Sequence, residues 1–410
     1  MEKLVFYACR NDGLGERLRA ILNAIALSRV YDTKYKFTWR SNLADSEFHT
    51  TETAEKIFSP SFLETHCIDP KEVGEIKNVS YFLETKHPGH YFCDQTIPER
   101  SFTENKSDYA LYKAELKNAF FHIDFSDSFK KSIQEAKKIE IDDSTIALHL
   151  RAGDLIYDRY KHNISYLGKA IPFPVAEKII EKSKADGFKV LIFGQDKVLG
   201  SYLKNKWDVE LSNDLIPSSL DKAEASIFDV ILMSRCRKIY AGNSGFSILS
   251  SIISDGEYIH YFDFLNSEER AHLMSNYFLD MPYNDGIPKL QIAYACKAAL
   301  LDGFKIFSEK DFKEIVMIGK KSDENSVFFD FISAWKEYLN GDFEEGDKIL
   351  SKFFEAEKSK LIDFIKNNIG TPHQRKIFNS FFNFEIIKDR EKSTASGKLQ
   401  LMMKNFLINK

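Results

Sequence analysis

Residues 145–154, with the sequence TIALHLRAGD, decide the fold of this chain. The apolar run Thr145–Leu150 has the length and composition of a buried strand. Arg151, Gly153 and Asp154 follow directly, at the strand end where a parallel sheet presents its ligand-binding loop. The stretch therefore predicts an α/β protein whose functional loop begins just after this strand.

The chemistry of the loop suits an anionic ligand. The guanidinium of Arg151 is planar and permanently charged, which matches the oxygens of a pyrophosphate. Gly153 allows the backbone to turn tightly beside it. A simpler interpretation is a buried ion pair between Arg151 and Asp154 that fixes the loop. The residue types alone favour neither interpretation over the other.

Strands and helices alternate on the C-terminal side of this stretch. Because such alternation is typical of a parallel sheet with ligands at its carboxyl edge, it predicts a nucleotide-type domain. The predicted elements are the helix Pro174–Lys184, the strand Lys189–Phe193, the helix Ala223–Met233, the strand Lys238–Ala241, a helix ending at Ile253 and the strand Tyr258–Phe262.

A second candidate anion site lies in this series, at the turn Gly242–Gly245. The turn joins a strand end to a helix, whose first N–H groups and positive dipole end attract anions. Asn243 and Ser244 add side-chain donors. The alternative is an ordinary helix N-cap, for which Asn and Ser are common. An Arg-bearing loop in the same sheet favours the anion site.

The N-terminal residues form another strand, loop and helix in this interpretation. Leu4–Cys9 is a predicted strand, Gly13 and Gly15 lie in the loop, and apolar residues recur at helical spacing from Leu18 to Ile25. A dinucleotide fingerprint would place glycine at the position of Leu18, so an NAD-dependent dehydrogenase is disfavoured. Two more strands are predicted in this domain: Lys34–Trp39 and Val79–Leu83.

The bulk composition limits the class of protein. A chain of 410 residues predicts two or three domains, and a net charge of −4 disfavours nucleic acid as a partner. Five cysteines without a Cys-x-x-Cys pair predict neither a disulfide framework nor a zinc cluster. Since no signal peptide and no apolar run of about 20 residues is present, we expect a cytoplasmic protein.

The absence of three sequence motifs argues against several classes of enzyme. The sequence has no Asp-x-Asp triplet, which argues against a metal-bridged nucleotide-sugar, so we expect no metal cofactor. It also has no HExxH and no GxSxG motif, so zinc and serine hydrolases are poorly supported.

The pattern becomes helical after residue 283. Three helices are predicted there: Asp330–Leu339, Phe343–Ala356 and Ser359–Asn367. The last residues, Lys398–Lys410, are basic and apolar. Two outcomes are predicted for this tail: peripheral contact with an inner-membrane surface, or packing back onto the body with fraying at its end.

Four motifs together resemble the superfamily of α1,2-, α1,6- and protein O-fucosyltransferases. They fall in the expected order and span residues 13–247. The motifs are the H-x-R-x-G-D signature at His149, Arg151, Gly153 and Asp154; the strand end Phe193, Gly194, Gln195 and Asp196; the block Asp229, Met233, Ser234, Cys236, Asn243, Ser244, Phe246 and Ser247; and the loop Gly13, Gly15, Arg17, Leu18 and Arg19.

The resemblance implies a GT-B fold, with two facing Rossmann-like domains and the donor held mainly by the second. The implied segments are an acceptor-side domain at 1–135, a GDP-sugar-binding domain at 136–282 and a helical extension at 283–410. The implied donor site comprises Gly13, Gly15, Arg17, His149, Arg151, Gly153, Asp196, Asp229, Asn243, Ser244 and Gly245.

Individual roles are implied as well. Arg151 would bind the β-phosphate, and Asp229 would accept from N1 and N2 of guanine with His149 nearby. Ser244 and its neighbours would cap the phosphates, and Asp196 would help to hold the nucleoside.

Three departures from the family pattern leave the sugar open. Ala152 stands where α1,2 enzymes usually have a second Arg, and Glu16 stands where many relatives have Asn. Ile248 and Leu249 replace an aromatic pair. Fucose and heptose are therefore both candidate sugars.

The predicted function is inverting, metal-independent transfer of a sugar from a GDP-sugar to a glycan acceptor. Arg151 and the helix N-terminus at Ser244 would stabilise the departing GDP. A carboxylate would take the acceptor proton, with Asp158 preferred over Asp154 and Glu16. The bacterial character of the composition suggests surface polysaccharide synthesis, in a capsule or lipopolysaccharide. Two alternatives are a non-catalytic glycan-binding or assembly subunit, and another group transferase on the same fold.

Overall fold

The computed structural model describes residues 3–42, 51–102, 106–254, 256–280, 286–388, 390–392 and 394–408. This part of the chain is an α/β protein with parallel strand pairs, as the sequence predicts. Its strands are β1 (Val5–Ala8), β2 (Lys34–Phe37), β3 (Lys77–Asn78), β4 (His90–Phe92), β5 (Thr145–Leu150), β6 (Lys189–Gly194), β7 (Glu210–Leu211), β8 (Lys238–Ala241) and β9 (Glu257–His260).

The helices account for most of the remaining residues. Up to residue 253 they are α1 (Leu14–Val30), α2 (Ala54–Ile57), α3 (Pro60–His66), α4 (Val79–Thr85), α5 (Lys106–Ala119), α6 (Asp127–Lys138), α7 (Gly153–Ile156), α8 (Phe173–Ala185), α9 (Lys197–Trp207), α10 (Lys222–Ser234) and α11 (Gly245–Ile253). After it they are α12 (Tyr261–Phe264), α13 (Ser267–Asp280), α14 (Lys289–Asp302), α15 (Glu309–Ser322), α16 (Val327–Asn340), α17 (Phe343–Ala356), α18 (Lys358–Ile369), α19 (Pro372–Phe381) and α20 (Ala395–Ile408).

The strands form two sheets. The first has the order β2-β1-β4-β3, and its neighbouring strands pair in parallel. The second has the order β7-β6-β5-β8-β9, with parallel pairing between β5 and β8 and between β6 and β7. Because β5 is the central strand of the second sheet, every one of its residues is buried.

One predicted strand is wrong. Val79–Leu83 is not a strand but lies in helix α4, whose first turn is capped by Asn78 because its side chain accepts from Ser80 N. Val79, Phe82 and Leu83 are all buried, at the spacing of one helical face.

The predicted strand Tyr258–Phe262 is correct only in its first part. Strand β9 ends at His260, and the short helix α12 begins at Tyr261. The imidazole Nδ1 of His260 accepts from Phe262 N at 3.1 Å, which caps that helix and ends the strand.

The described chain divides into two compact units. Unit 1 comprises Met1–His149, Ser183–Phe193 and Val209–Ile259. Unit 2 comprises Leu150–Lys182, Gly194–Asp208 and His260–Lys410. Both sheets lie in unit 1, except for the last residues of β5, β6 and β9. They share one hydrophobic core cluster, which explains why they are not separate units.

The predicted domains are three continuous segments, whereas each of these two units combines several separate segments of the chain. The segments 1–135, 136–282 and 283–410 therefore stay a prediction, and their second boundary falls outside the described residues. The arrangement as two facing Rossmann-like domains also stays a prediction.

The C-terminal tail packs back in its described part. Helix α20 contacts α17, and its residues Leu399 and Met403 are buried. Peripheral membrane contact stays a prediction. Among the described residues, no helix has the length and apolar character that crossing a bilayer requires.

Candidate functional site

The strand order of the second sheet defines a switch point between β5 and β8. From β5 the chain continues through β6 and β7 on one side, and later returns through β8 and β9 on the other. His149 and Ala241 are partners in the parallel register, so the carboxyl ends of these two strands lie side by side. Ligands in open α/β sheets bind at such a point, outside the carboxyl ends of the strands.

His149 is in contact with the helix that follows β8. Its side chain is buried, and its ring stacks on Phe246 with centroids 6.2 Å apart and planes 22° apart. Phe246 belongs to the first turn of α11, which begins at Gly245. The structure thus brings together two predicted motifs that are far apart in sequence.

The N-terminus of α11 has no side-chain cap from its N-cap residue. Ser244 is the N-cap residue and is buried, but its side chain makes no capping hydrogen bond. The first N–H groups of a helix have no partner within the helix. Ser244 therefore does not cap this helix through its side chain, and anion binding at these N–H groups stays a prediction. Asn243 lies beside them and is exposed.

The N-terminus of α1 packs against the same helix turn. Gly13 is the N-cap residue of α1, and its carbonyl accepts from Glu16 N and Arg17 N. A side chain at Gly15 would place its Cβ 2.7 Å from Gly245 C and 2.8 Å from Phe246 N. Only glycine fits at position 15, because backbone atoms on the neighbouring helix fill the space.

Glu16 reaches the start of α11. A Cβ atom at Gly245 would lie 2.6 Å from the carboxyl carbon of Glu16, so this side chain covers that glycine. Glu16 also accepts from Arg19 at 2.7 Å, one turn along α1. A carboxylate at a helix N-terminus is electrostatically favoured. Glu16 is therefore placed where an anionic ligand of α11 would approach.

Arg19 was not among the predicted donor-site residues. It is buried, and besides Glu16 it donates to Thr96 Oγ1 at 2.7 Å. Burial lowers the pKa of its guanidinium, and the nearby Glu16 carboxylate opposes that change. The spacing of three residues between Glu16 and Arg19 is the sequence signal that could have indicated this pair.

Arg17 holds the glycine loop together. Its guanidinium donates to the carbonyl oxygens of Asn11, Asp12 and Arg40, and it lies 4.9 Å from the centroid of the Trp39 ring. Because its nitrogen atoms already have these acceptors, Arg17 fits a structural role better than the predicted donor contact.

Asp229 has a buried carboxyl oxygen that could accept a hydrogen bond from a ligand. The residue as a whole keeps some exposed surface, but its Oδ1 is buried and has no hydrogen-bond partner. Burial raises the pKa of this carboxyl to about 7, and the neighbouring Ser212 hydroxyl opposes part of that shift. An unpaired buried acceptor is costly, and a ligand N–H group would relieve that cost.

The remaining predicted residues belong to unit 2. Arg151 donates to both carboxyl oxygens of Asp154, at 3.2 and 3.1 Å, and Asp154 is buried. Gly153 has φ of +27°, a conformation that favours glycine, as the tight turn requires. The ion pair of the simpler interpretation is thus present, and phosphate binding by Arg151 stays a prediction.

Asp196 caps a helix within the same unit. Its Oδ1 accepts from Leu199 N at 2.9 Å, and its Oδ2 accepts from Tyr157 Oη and from Gln291 Nε2. Nucleoside binding by Asp196 stays a prediction. Asp158 follows Tyr157, and its Oδ2 is buried without a hydrogen-bond partner.

The contact between α1 and α11 gives a prediction on stability. We expect Gly15→Ala to lower the free energy of unfolding by about 2 kcal/mol, because backbone atoms must move to admit the methyl group. Gly74 has nothing within 4 Å of its would-be Cβ. Gly74→Ala is thus the matched control and should stay within about 0.5 kcal/mol of wild type. Denaturant unfolding measures both, and equal values would contradict the packing described.

Comparison with solved structures finds fucosyltransferases. The fucosyltransferase NodZ from Bradyrhizobium is 12% identical, covering 65% of this chain and 97% of NodZ with a TM-score of 0.41. NodZ α-1,6-fucosyltransferase soaked with GDP-fucose is 12% identical, covering 62% and 93% with a TM-score of 0.40. POFUT1 in complex with GDP-fucose is 13% identical, covering 62% and 96% with a TM-score of 0.34. No protein-family model and no curated protein matches this sequence.

Proposed function

We propose that this protein transfers a sugar from a GDP-sugar to a glycan acceptor, with inversion and without a metal. The observation that carries the proposal is the β5/β8 switch point. There the carboxyl ends of β5 and β8 lie side by side, and β8 leads into the N-terminus of α11. A helix N-terminus at a strand end is complementary to a diphosphate.

Asp229 supports guanine as the base of the donor. Its buried, unpaired Oδ1 provides an acceptor, and N1 and N2 of guanine are adjacent donors. A carboxylate can accept from both at once, whereas uracil and cytosine lack this pair of donors.

The reaction would be a displacement at the anomeric carbon. The acceptor oxygen forms the new bond, the bond from the anomeric carbon to the β-phosphate oxygen breaks, and GDP departs with the electron pair. Arg151 and the N–H groups of α11 would stabilise the charge that develops on GDP, since fixed donors need no rearrangement during the reaction.

Asp158 is the best-supported general base among the three candidate carboxylates. Asp154 already accepts from Arg151, and Glu16 already accepts from Arg19. Asp158 has a buried carboxyl oxygen without a hydrogen-bond partner, and it is the only one of the three with such an oxygen.

The sugar and the pathway are parts of the same proposal. Fucose-like sugars and heptose remain the candidates, and the acceptor is proposed to be a bacterial surface polysaccharide at the cytoplasmic face of the inner membrane. The alternatives are a non-catalytic glycan-binding or assembly subunit, and another group transferase on this fold.

Nucleotide selectivity tests the proposal first. In buffer containing EDTA, we expect GDP at 100 times its Kd to stabilise the protein by about 2.7 kcal/mol, because a ligand that binds only the folded state raises its stability. UDP, CMP and NAD at equal concentrations should leave the Tm unchanged.

Two other results of this experiment would contradict different parts of the proposal. Stabilisation by UDP or NAD would contradict the guanine role of Asp229. Binding of GDP without release of GDP from GDP-fucose, GDP-mannose or GDP-heptose would support the non-catalytic subunit instead.

A further inference from the structure

The loop that follows the H-x-R-x-G-D motif is held by the C-terminal helices. Residues 157–170 consist of turns followed by the 3-10 helix Ile164–Lys169, and they include Asp158. Irregular backbone of this kind needs partners for its N–H and C=O groups when it is buried. Within unit 2, α14 and α18 supply them through side chains.

Asn368 in α18 makes the most complete set of contacts to this loop. It is fully buried, and its Oδ1 accepts from Ile164 N at 2.8 Å. Its Nδ2 donates to His162 O at 2.9 Å and to Phe364 O at 2.8 Å. Since one amide both accepts from and donates to the loop, neither a carboxylate nor an apolar side chain can replace it.

Helix α14 contacts the loop near its start and at its end. Lys297 Nζ donates to Lys161 O at 3.3 Å, and Tyr294 Oη donates to Ala170 O at 2.9 Å. Gln291 Nε2 donates at 2.8 Å to Asp196, the same carboxylate that accepts from Tyr157.

These anchors bracket Asp158. The preceding residue, Tyr157, is held through Asp196 and Gln291, and the backbone at Lys161, three residues later, is held by Lys297. Asn368 then fixes the next turn of the loop. A base must lie within hydrogen-bond reach of the proton that it takes, so small displacements of this loop would slow the transfer step.

We propose that the C-terminal helices are part of the transferase itself, and that Asn368 is a positioning residue that acts through the loop carrying Asp158. This inference rests on the proposed function. It assigns the extension a role in the rate of transfer rather than in donor binding.

The test compares two neighbouring residues of α18 in the full-length chain. Asn368→Leu keeps the side-chain size and removes the three hydrogen bonds, whereas Asn367→Leu changes an exposed residue on the same helix. For each variant, GDP titration counts the binding-competent sites and gives the Kd. Turnover is GDP release from whichever of GDP-fucose, GDP-mannose and GDP-heptose the wild type cleaves fastest.

We expect Asn368→Leu to lower kcat per GDP-binding site by about tenfold or more, with the KM for donor and the Kd for GDP within threefold of wild type. Asn367→Leu should match wild type. A purely structural role would reduce the number of binding sites without changing kcat per site. Equal kcat per site in the two variants would overturn the inference.

Tyr294→Phe provides a second measurement if Asn368→Leu does not fold. It removes one hydroxyl that donates to the loop and keeps the buried ring. The same split, a lower kcat at unchanged KM, is expected, and an unchanged kcat would overturn the inference. A wild type that binds no GDP would instead overturn the proposed function, and this inference with it.

Discussion

Arg151→Ala is expected to reduce sugar transfer by about three orders of magnitude, because it removes the fixed positive charge proposed to stabilise the departing GDP. Steady-state release of GDP from the donor measures this loss. The same change removes the partner of the buried Asp154 carboxylate. Loss of one partner from a buried ion pair costs about 3 kcal/mol, so the single variant alone would mix stability with chemistry.

The double variant Arg151→Ala, Asp154→Asn separates these effects. Asparagine removes the uncompensated charge, so we expect it to regain most of the lost stability in denaturant unfolding while transfer stays near the level of the single variant. If the second change restores transfer as well, Arg151 serves only to hold Asp154, and the catalytic role is wrong.

Asp229→Asn is expected to weaken GDP binding by about 100-fold at pH 8, because two hydrogen bonds to a charged acceptor are lost, each worth about 1.5 kcal/mol. Inosine diphosphate lacks the guanine 2-amino group and so makes one of these bonds fewer. Wild type should prefer GDP over inosine diphosphate, and the variant should lose this preference. An unchanged preference would place guanine recognition elsewhere.

The pKa of Asp229 gives this binding a pH dependence. Because burial raises that pKa to about 7, the carboxyl is largely protonated below pH 7 and must lose its proton to accept from guanine. Affinity should therefore rise with pH up to about 7 and then level off. GDP-mannose is the better probe, since its diphosphate diester has no ionisation near pH 6 of the kind that a free terminal phosphate has. Asp229→Asn should give a flat profile.

The stability of the free protein should change in the opposite direction. The pKa of Asp229 is higher in the folded protein than in the unfolded chain. As the pH rises from about 4 to 7, the unfolded chain therefore releases this proton first, and the folded protein becomes less stable. Above pH 7 the cost is constant. Asp229→Asn should thus stabilise the free protein by more than about 1 kcal/mol at pH 8 and hardly at all at pH 4.

Local patterns predicted the second sheet well. Strands Thr145–Leu150 and Lys238–Ala241 begin and end where predicted, because they are short apolar runs bounded by polar residues. The helix Phe343–Ala356 also matches, since Gly341 and the capping residue Asp342 mark its start. By contrast, Val79–Leu83 is rich in apolar residues but forms a helix. The run is too short for its periodicity to distinguish a strand from a helix, and the N-cap residue Asn78 favours the helix.

The candidate site was predictable only where motifs are continuous in sequence. The Arg151 and Asp154 ion pair and the turn at Gly153 follow from neighbouring residues. The contact of Gly15 with Gly245 and the contact of Asn368 with the loop at residues 162–164 join residues far apart in the chain. No local spacing signals such contacts, because they depend on how helices pack.

The interleaved course of the chain has a consequence for synthesis on the ribosome. The chain passes between the two units after His149, Lys182, Phe193, Asp208 and Ile259. Domains generally fold as they emerge, from the N-terminus onward. Here the first sheet and its neighbours cannot complete their unit until residue 259 has left the exit tunnel, and by then parts of unit 2 have already emerged without their C-terminal helices. The nascent chain therefore exposes apolar surface for more than half of its translation, and a shortened product that ends near residue 282 would contain all of unit 1 but only a minor part of unit 2.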